Sequence, residues 1–167
     1  SLAGEPVCIS NIPEISDIKV VLKILRVIGA SVEKQDNTYI IDPKNISTAE
    51  ISPELSSSFR AAYYFVGALL AKHNKVSIGY PGGDNFVSRP IDQHIKGLKA
   101  LGAEVTCFDN HYTVEARKLI GTEIFFDVMS CGATINVMLA AVLAEGKTIL
   151  YNAARDPEVV DTAIMLN

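Results

Sequence analysis

A chain of 167 residues, 49% hydrophobic and 20% charged, carries enough apolar side chain to bury a globular core, and one domain is the default count. A formal net charge of -4 and a pI near 5.3 give no electrostatic support for binding nucleic acid or an anionic membrane surface, which would want a basic face. An anionic ligand must therefore be caught by a few placed basic groups.

The chain opens on Ser1-Leu2-Ala3-Gly4 with no basic segment followed by an apolar core, and this reads as a cut and not a start. After a first strand near Val7, Asp17 is the expected N-cap of an amphipathic helix over Ile18 to Ile28, closed by Gly29-Ala30. Val32 to Tyr39 then reads as two short strands joined at Asp36-Asn37. Ala61 to Ala71 (AAYYFVGALLA) is apolar nearly all round, too short for a membrane span, and so predicts a helix buried on every side.

The same sequence of events recurs. A strand near Val76 leads through a proline-bearing loop to Asp92, a helix from Gln93 to Leu101, a stop at Gly102-Ala103, a hairpin over Val105 to Tyr112 and a second all-apolar stretch, Ala133 to Ala144 (ATINVMLAAVLA). A third start appears at Thr148, with Asp161 as the expected helix cap, and the chain breaks off at Asn167 inside that helix. Val7, Val76 and Thr148 thus recur at intervals of about seventy residues, which predicts repeat units over about 4–72, 73–145 and 146–167, the third unfinished. The fold class expected is α/β, with apolar helices at the centre and sheets around them.

Three segments carry candidate chemistry. Tyr80 to His94 (YPGGDNFVSRPIDQH) leaves a strand through Pro81-Gly82-Gly83 and sets Asp84, Arg89, Asp92 and His94 close together, as a loop that lies over a ligand would; a plain solvated loop with Asp92 as a cap is the competing reading. Ser56-Ser57-Ser58-Phe59-Arg60 precedes the first apolar helix and Ser130-Cys131-Gly132 the second. Helix N-termini suit phosphate, while ordinary capping explains the same serines. Arg60 and Arg89 are the basic groups assigned to an anionic ligand, because a guanidinium grips phosphate or carboxylate bidentately; a surface ion pair is the alternative. His73 and His111 sit beside turns and are expected in solvent. The cysteines Cys8, Cys107 and Cys131 are odd in number and lack metal-ligand spacing, so reduced thiols and no metal site are expected.

The run Pro81-Gly82-Gly83-Asp84 to Arg89-Pro90-x-Asp92-x-His94, continued by Ile95-Lys96-Gly97-Leu98, together with Ser130-Cys131-Gly132-Ala133-Thr134 and Asn152-Ala153-Ala154-Arg155-Asp156-Pro157-Glu158, resembles the UDP-N-acetylglucosamine enolpyruvyl transferases over the whole chain. The resemblance implies an inside-out α/β barrel built from βαβαββ units with buried helices, of which this chain is most of one of two domains, the second domain being absent here. It also implies transfer of the enolpyruvyl group of phosphoenolpyruvate to the 3′-hydroxyl of UDP-N-acetylglucosamine, with no metal or organic cofactor, in a bacterial cytoplasm. Asp84, Arg89 and Arg60 would be catalytic, the two arginines facing the phosphoenolpyruvate phosphate. Pro90, Asp92, Gln93, His94, Ser130, Cys131 and Gly132 would line the sugar-nucleotide site.

Two departures from the family pattern matter. Asp84 stands where many members carry a cysteine, which removes the thiolate that fosfomycin alkylates and so implies resistance. Val128 stands where some carry a lysine. The resemblance also places a Lys-Asn pair just upstream of Ser1, and acidic and arginine residues on the second domain, outside this sequence, so alone the chain should not turn over. A UDP-sugar-binding module without catalysis, or an enolpyruvyl transferase for another nucleotide acceptor, are the alternative readings; the related transferase acting on shikimate 3-phosphate ranks lower because its phosphate-site motifs are not seen.

Overall fold

The computed structural model describes residues 2–82 and 90–167. Strand β1 (Val7–Ser10) and the hairpin of β2 (Ser31–Gln35) and β3 (Thr38–Asp42) form an antiparallel sheet in the order β1-β3-β2, and helix α1 (Ser16–Val27) joins β1 to β2. The path then repeats. β5 (Lys75–Gly79), α4 (Asp92–Ala100) and the hairpin of β6 (Glu104–Cys107) and β7 (His111–Glu115) give the same antiparallel order, β5-β7-β6.

Two strands have no counterpart in the sequence reading: β4 (Glu50–Ile51), which pairs parallel to β5, and β8 (Glu123–Phe125), which pairs parallel to β9 (Ile149–Tyr151). At two and three residues they are too short to leave an alternation signal. Each stands just ahead of a buried helix, β4 before α3 (Tyr64–His73) and β8 before α5 (Cys131–Ala141). Setting aside the four-residue helix α2 (Pro53–Ser56) and the 3-10 turn after it, the order from β4 is β, α, β, α, β, β through β7, and it begins again at β8 with α5, β9 and α6 (Pro157–Leu166).

The helix stops are those expected. Gly29 and Gly102 take φ of +108° and +96°. Behind Gly29 the Ala30 N–H donates to the Leu25 carbonyl, and behind Gly102 the Ala103 N–H donates to Leu98, at 2.9 and 3.1 Å. With the Gly29 to Arg26 and Gly102 to Lys99 bonds, both are Schellman ends in which only glycine avoids a Cβ penalty. The helix starts differ from expectation. α1 is capped at Ile15 and α4 at Ile91, which puts Asp17 and Asp92 inside the first turn, where their charges still face the positive dipole end. Asp161 is interior to α6, whose cap is Asp156 ahead of Pro157; proline at the first helical position fixes that start.

The core gathers where α3 and α5 run against each other. Val66, Leu69, Leu70, Val137 and Ala140 are buried there, joined by Leu22, Ile24, Leu25 and Ile28 at and just past the end of α1 and by Leu98 and Leu101 at the end of α4. Each buried Val, Leu or Ile among them stabilises the fold by about 1.5–3 kcal/mol. The expected centre is thus present, but the burial is not uniform: Val142 and Leu143 past the end of α5, and Val160, Ile164 and Met165 on α6, are exposed.

His73 and His111 are half-buried, where full exposure was expected. The His111 ring stacks on Phe108 at 4.5 Å, and the His73 Nε2 is enclosed with no hydrogen-bond partner among the described residues. No described helix is long and apolar enough to cross a membrane.

Candidate functional site

The chain reaches the site from three directions. β5 ends at Gly79, and the strand exit is tied down by Tyr80 Oη donating to the Phe108 carbonyl and by the Gly82 N–H donating to Ser56. Asp84 and Arg89, the catalytic candidates of the loop, lie outside the described residues. The chain returns at Pro90 and enters α4 at Asp92. The second approach is the 3-10 turn over Arg60–Tyr63 that feeds α3, and the third is the turn from Asp127 to Ser130 that feeds α5.

These three starts enclose a cavity of about 290 Å³ lined by Arg60, Tyr63, Pro90, Asp92, Gln93, His94, Val128, Met129, Ser130 and Gly132. Seven of the expected site residues, from positions 60 to 132, therefore come together, with Val128 beside them. A larger open cleft of about 680 Å³ lies elsewhere, between Asn74, Gly102 and Arg117. Part of its charge is already satisfied, since Lys75 pairs with Glu115 at 3.1 Å and Lys118 pairs with Glu145, and it gathers none of the candidate residues.

Of the two serine-bearing segments expected at helix N-termini, only one is at such a start. Ser130 caps α5, its Oγ accepting from the Ala133 N–H at 3.2 Å. Ser56, Ser57 and Ser58 instead belong to a separate short helix, α2 (Pro53–Ser56), and its end, where their hydroxyls donate back to the carbonyls of Ser52, Pro53, Glu54 and Leu55. The start of α3 is the 3-10 turn, so it is Arg60 and Tyr63 that face the cavity there.

Tyr63 organises the interior, and sequence reasoning missed it. Its ring meets His94 edge-on at 4.4 Å, takes the Arg60 guanidinium over its face at 5.7 Å, and lies so close to Gly132 that a Cβ there would meet the phenol oxygen. His94 is 5% exposed, and burial, helped by the nearby Arg60 charge and opposed by Asp92, pushes its pKa down to about 4. At neutral pH it is an uncharged imidazole. Its Nδ1 pairs with Asn136 Nδ2 at 3.1 Å, while Asn136 Oδ1 accepts the Gly67 backbone N–H at 2.8 Å.

Gln93 is also buried, and its amide is engaged by the protein: Nε2 donates to Asp92 and Asp127, and Oε1 accepts the Asp127 N–H at 2.9 Å. Asp127 takes Lys96 Nζ at 2.6 Å as well, and these donors hold its carboxyl below the usual range. The start of α4 and the turn into α5 are thereby clamped into one wall. Cys131 does not line the cavity. Its thiol faces Glu158 at 3.5 Å, and burial together with that carboxylate pushes its pKa up to about 11. No group of three or more His, Cys, Asp or Glu able to hold a metal is present among the described residues.

A cavity that presents a guanidinium, a neutral imidazole and a capped helix start suits a small anion with a polar appendage. The family model for EPSP synthase (3-phosphoshikimate 1-carboxyvinyltransferase) matches residues 1–167. The chain belongs to that family. It is 51% identical over 166 residues to UDP-N-acetylglucosamine 1-carboxyvinyltransferase 3 of Caldanaerobacter subterraneus subsp. tengcongensis, covering 99% of this chain and 40% of that protein. Against UDP-N-acetylglucosamine 1-carboxyvinyltransferase 2 of Bacillus subtilis the identity is 46%, with 99% and 38% covered.

The chain thus spans about 40% of the length of the curated relatives it matches. Among solved structures it is similar to the enolpyruvyl transferase NikO from Streptomyces tendae, with a TM-score of 0.83, 21% identity and 99% and 39% of the two chains covered. It also matches EPSP synthase from Acinetobacter baumannii, at 0.75 and 16% over 96% and 38%. The fold is that of the enolpyruvyl transferases, the α/β inside-out barrel with buried helices.

Proposed function

We propose that this chain forms one wall of the active site of an enzyme that moves the enolpyruvyl group of phosphoenolpyruvate onto the 3′-hydroxyl of UDP-N-acetylglucosamine, releasing phosphate in the first committed step of peptidoglycan synthesis. The observation that carries the reading is the convergence of Arg60, Asp92, His94, Ser130 and Gly132 on one cavity, in a chain whose relatives at 46–51% identity bear that activity in their names. The second domain of the longer protein would close the site and supply the base for the sugar hydroxyl. The setting is the bacterial cytoplasm, where the reaction supports cell shape and division.

In this reading the sugar oxygen attacks C2 of phosphoenolpyruvate while C3 takes a proton, which gives a tetrahedral adduct; loss of a proton from C3 then expels phosphate from C2. Asp84 is the general acid toward C3. Arg60 and Arg89 hold the phosphate as its charge changes. Pro90, Asp92, Gln93 and the Ser130 to Gly132 turn shape the sugar-nucleotide side, with Cys131 supporting that turn from behind. Full-length protein is expected to release phosphate from phosphoenolpyruvate only when UDP-N-acetylglucosamine is present, and Asp84→Ala to slow that release by about 10²-fold or more. A folded protein that binds the sugar nucleotide without releasing phosphate would instead be a binding module.

Thiol chemistry supplies a separate test. An epoxide such as fosfomycin needs a thiolate, and Cys131, the cysteine adjoining the cavity at the start of α5, is held as a thiol, while Cys8 and Cys107 are exposed on strands β1 and β6. Activity is expected to persist in excess fosfomycin, with any label on Cys8 or Cys107. Rapid inactivation with label on Cys131 would contradict both points.

A further inference from the structure

Asn136 is a carboxamide in the middle of an otherwise apolar helix and is 1% exposed, so both ends of its side chain need partners. One end meets the Gly67 backbone N–H, which can only donate. The atom facing it at 2.8 Å must therefore be the carbonyl oxygen, Oδ1. The NH2 end is then the one that faces His94 Nδ1 at 3.1 Å, and because Nδ2 can only donate, Nδ1 must carry a free lone pair. A neutral imidazole with a bare Nδ1 carries its proton on Nε2. The chain of donors and acceptors is closed at every step, and it starts from a backbone group that cannot be reversed.

We propose that Asn136 is a positioning residue that locks His94 in its Nε2–H tautomer, so that the cavity holds a neutral imidazole donor beside the Arg60 cation in place of a second positive charge. Protonating Nδ1 would set an N–H against the Asn136 NH2, and turning the amide to relieve that would abandon the Gly67 N–H. Among the described residues, Arg60 and Asp92 are the charged groups acting on the ring, and Tyr63 packs on it. The crossing of α3 and α5 at Gly67 and Asn136 is thereby coupled to the protonation state of a residue on α4. The role in substrate recognition rests on the enolpyruvyl transfer reading: a neutral donor suits a carboxylate or phosphate oxygen already neutralised by arginine. The tautomer itself does not depend on that reading.

The test is ¹⁵N NMR of the His94 imidazole in substrate-free, full-length protein at pH 7. The expected result is an unprotonated Nδ1 with a through-hydrogen-bond coupling to Asn136 Nδ2, and a protonated Nε2. In Asn136→Asp the carboxylate accepts from both neighbours, so Nδ1 is expected to gain a proton and His94 to titrate at or above the ordinary ~6.5. A protonated Nδ1 in the wild-type protein overturns the proposal, whether or not the variant folds. So does a folded Asn136→Asp protein with His94 unchanged. With substrates, the variant's kcat/KM is expected to acquire a new ionisation that the wild-type profile lacks. Absence of phosphate release from both proteins would count against the enolpyruvyl reading and leave the NMR result to decide the tautomer.

Discussion

Lowering the pH from 7 to 4 is expected to cost the fold about 3 kcal/mol through His94 alone, from the gap between a free imidazole near ~6.5 and the value of about 4 inside the protein. The folded pKa lies below the unfolded one because burial disfavours the charged ring, with Arg60 adding to the effect. Between those two values the unfolded chain takes up a proton that the folded chain refuses. Stability from this group is therefore complete above the unfolded pKa, falls as pH drops, and stops falling below about 4. Denaturant unfolding across that range measures it. His94→Gln cannot take the proton, so its stability is expected to fall less steeply by about the same 3 kcal/mol. An acid slope identical in the two proteins would mean that His94 is not held neutral.

How much of this was legible in advance depended on pattern length. The helices at 16–27 and 92–100 span three turns or nearly so, end at glycines that only one backbone conformation explains, and could be read within a residue or two. β4 and β8 offered two and three residues and no signal, yet they are what pair each repeat's path to the next. The misplaced caps have one cause: Asp was taken for the cap wherever it preceded an apolar run, whereas Ile15 and Ile91 hold those positions with no side-chain hydrogen bond, and Pro157 fixes the start of α6 four residues before Asp161.

In the site, Arg60, Pro90, Asp92, Gln93, His94, Ser130 and Gly132 converge because they stand at or beside helix starts, and the fold brings three starts together, while Cys131 turns to Glu158. What could not be read was the support beneath them. Tyr63 looked like one more apolar residue in AAYYFVGALLA. Asn136 lay inside ATINVMLAAVLA, a run described as apolar all round. Its amide was the signal, since a polar side chain in a helix that must be buried needs a specific partner. The serines at 56–58 misled because their hydroxyls have nearer acceptors in their own α2 carbonyls than any ligand of α3.

Gly67→Ala is expected to destabilise the protein by about 3 kcal/mol or more, among the larger effects open to a single methyl group. A Cβ at Gly67 would fall on the Asn136 backbone oxygen and close to its Oδ1, at the point where the two central helices cross. A flexible side chain could swing aside, but a carbonyl inside α5 cannot move without shifting the helix. Moving α5 disturbs more than α3, because Val137 on the next position packs against Gly97 of α4 with as little room. The strain therefore spreads to all three helices that frame the cavity, and stretching the Gly67 to Asn136 bond adds about 1–3 kcal/mol for a buried amide left unsatisfied. Trimming Asn136 as well leaves the backbone oxygen in place, so Gly67→Ala/Asn136→Ala is expected to be no more stable than Gly67→Ala. The control is Gly4→Ala, where a Cβ meets nothing within 4 Å and the change is expected within about 0.5 kcal/mol. Chemical denaturation of the three proteins decides it: equal midpoints for Gly67→Ala and Gly4→Ala would mean that the helices cross elsewhere, and rescue by the second substitution would place the clash on the side chain and not on the backbone.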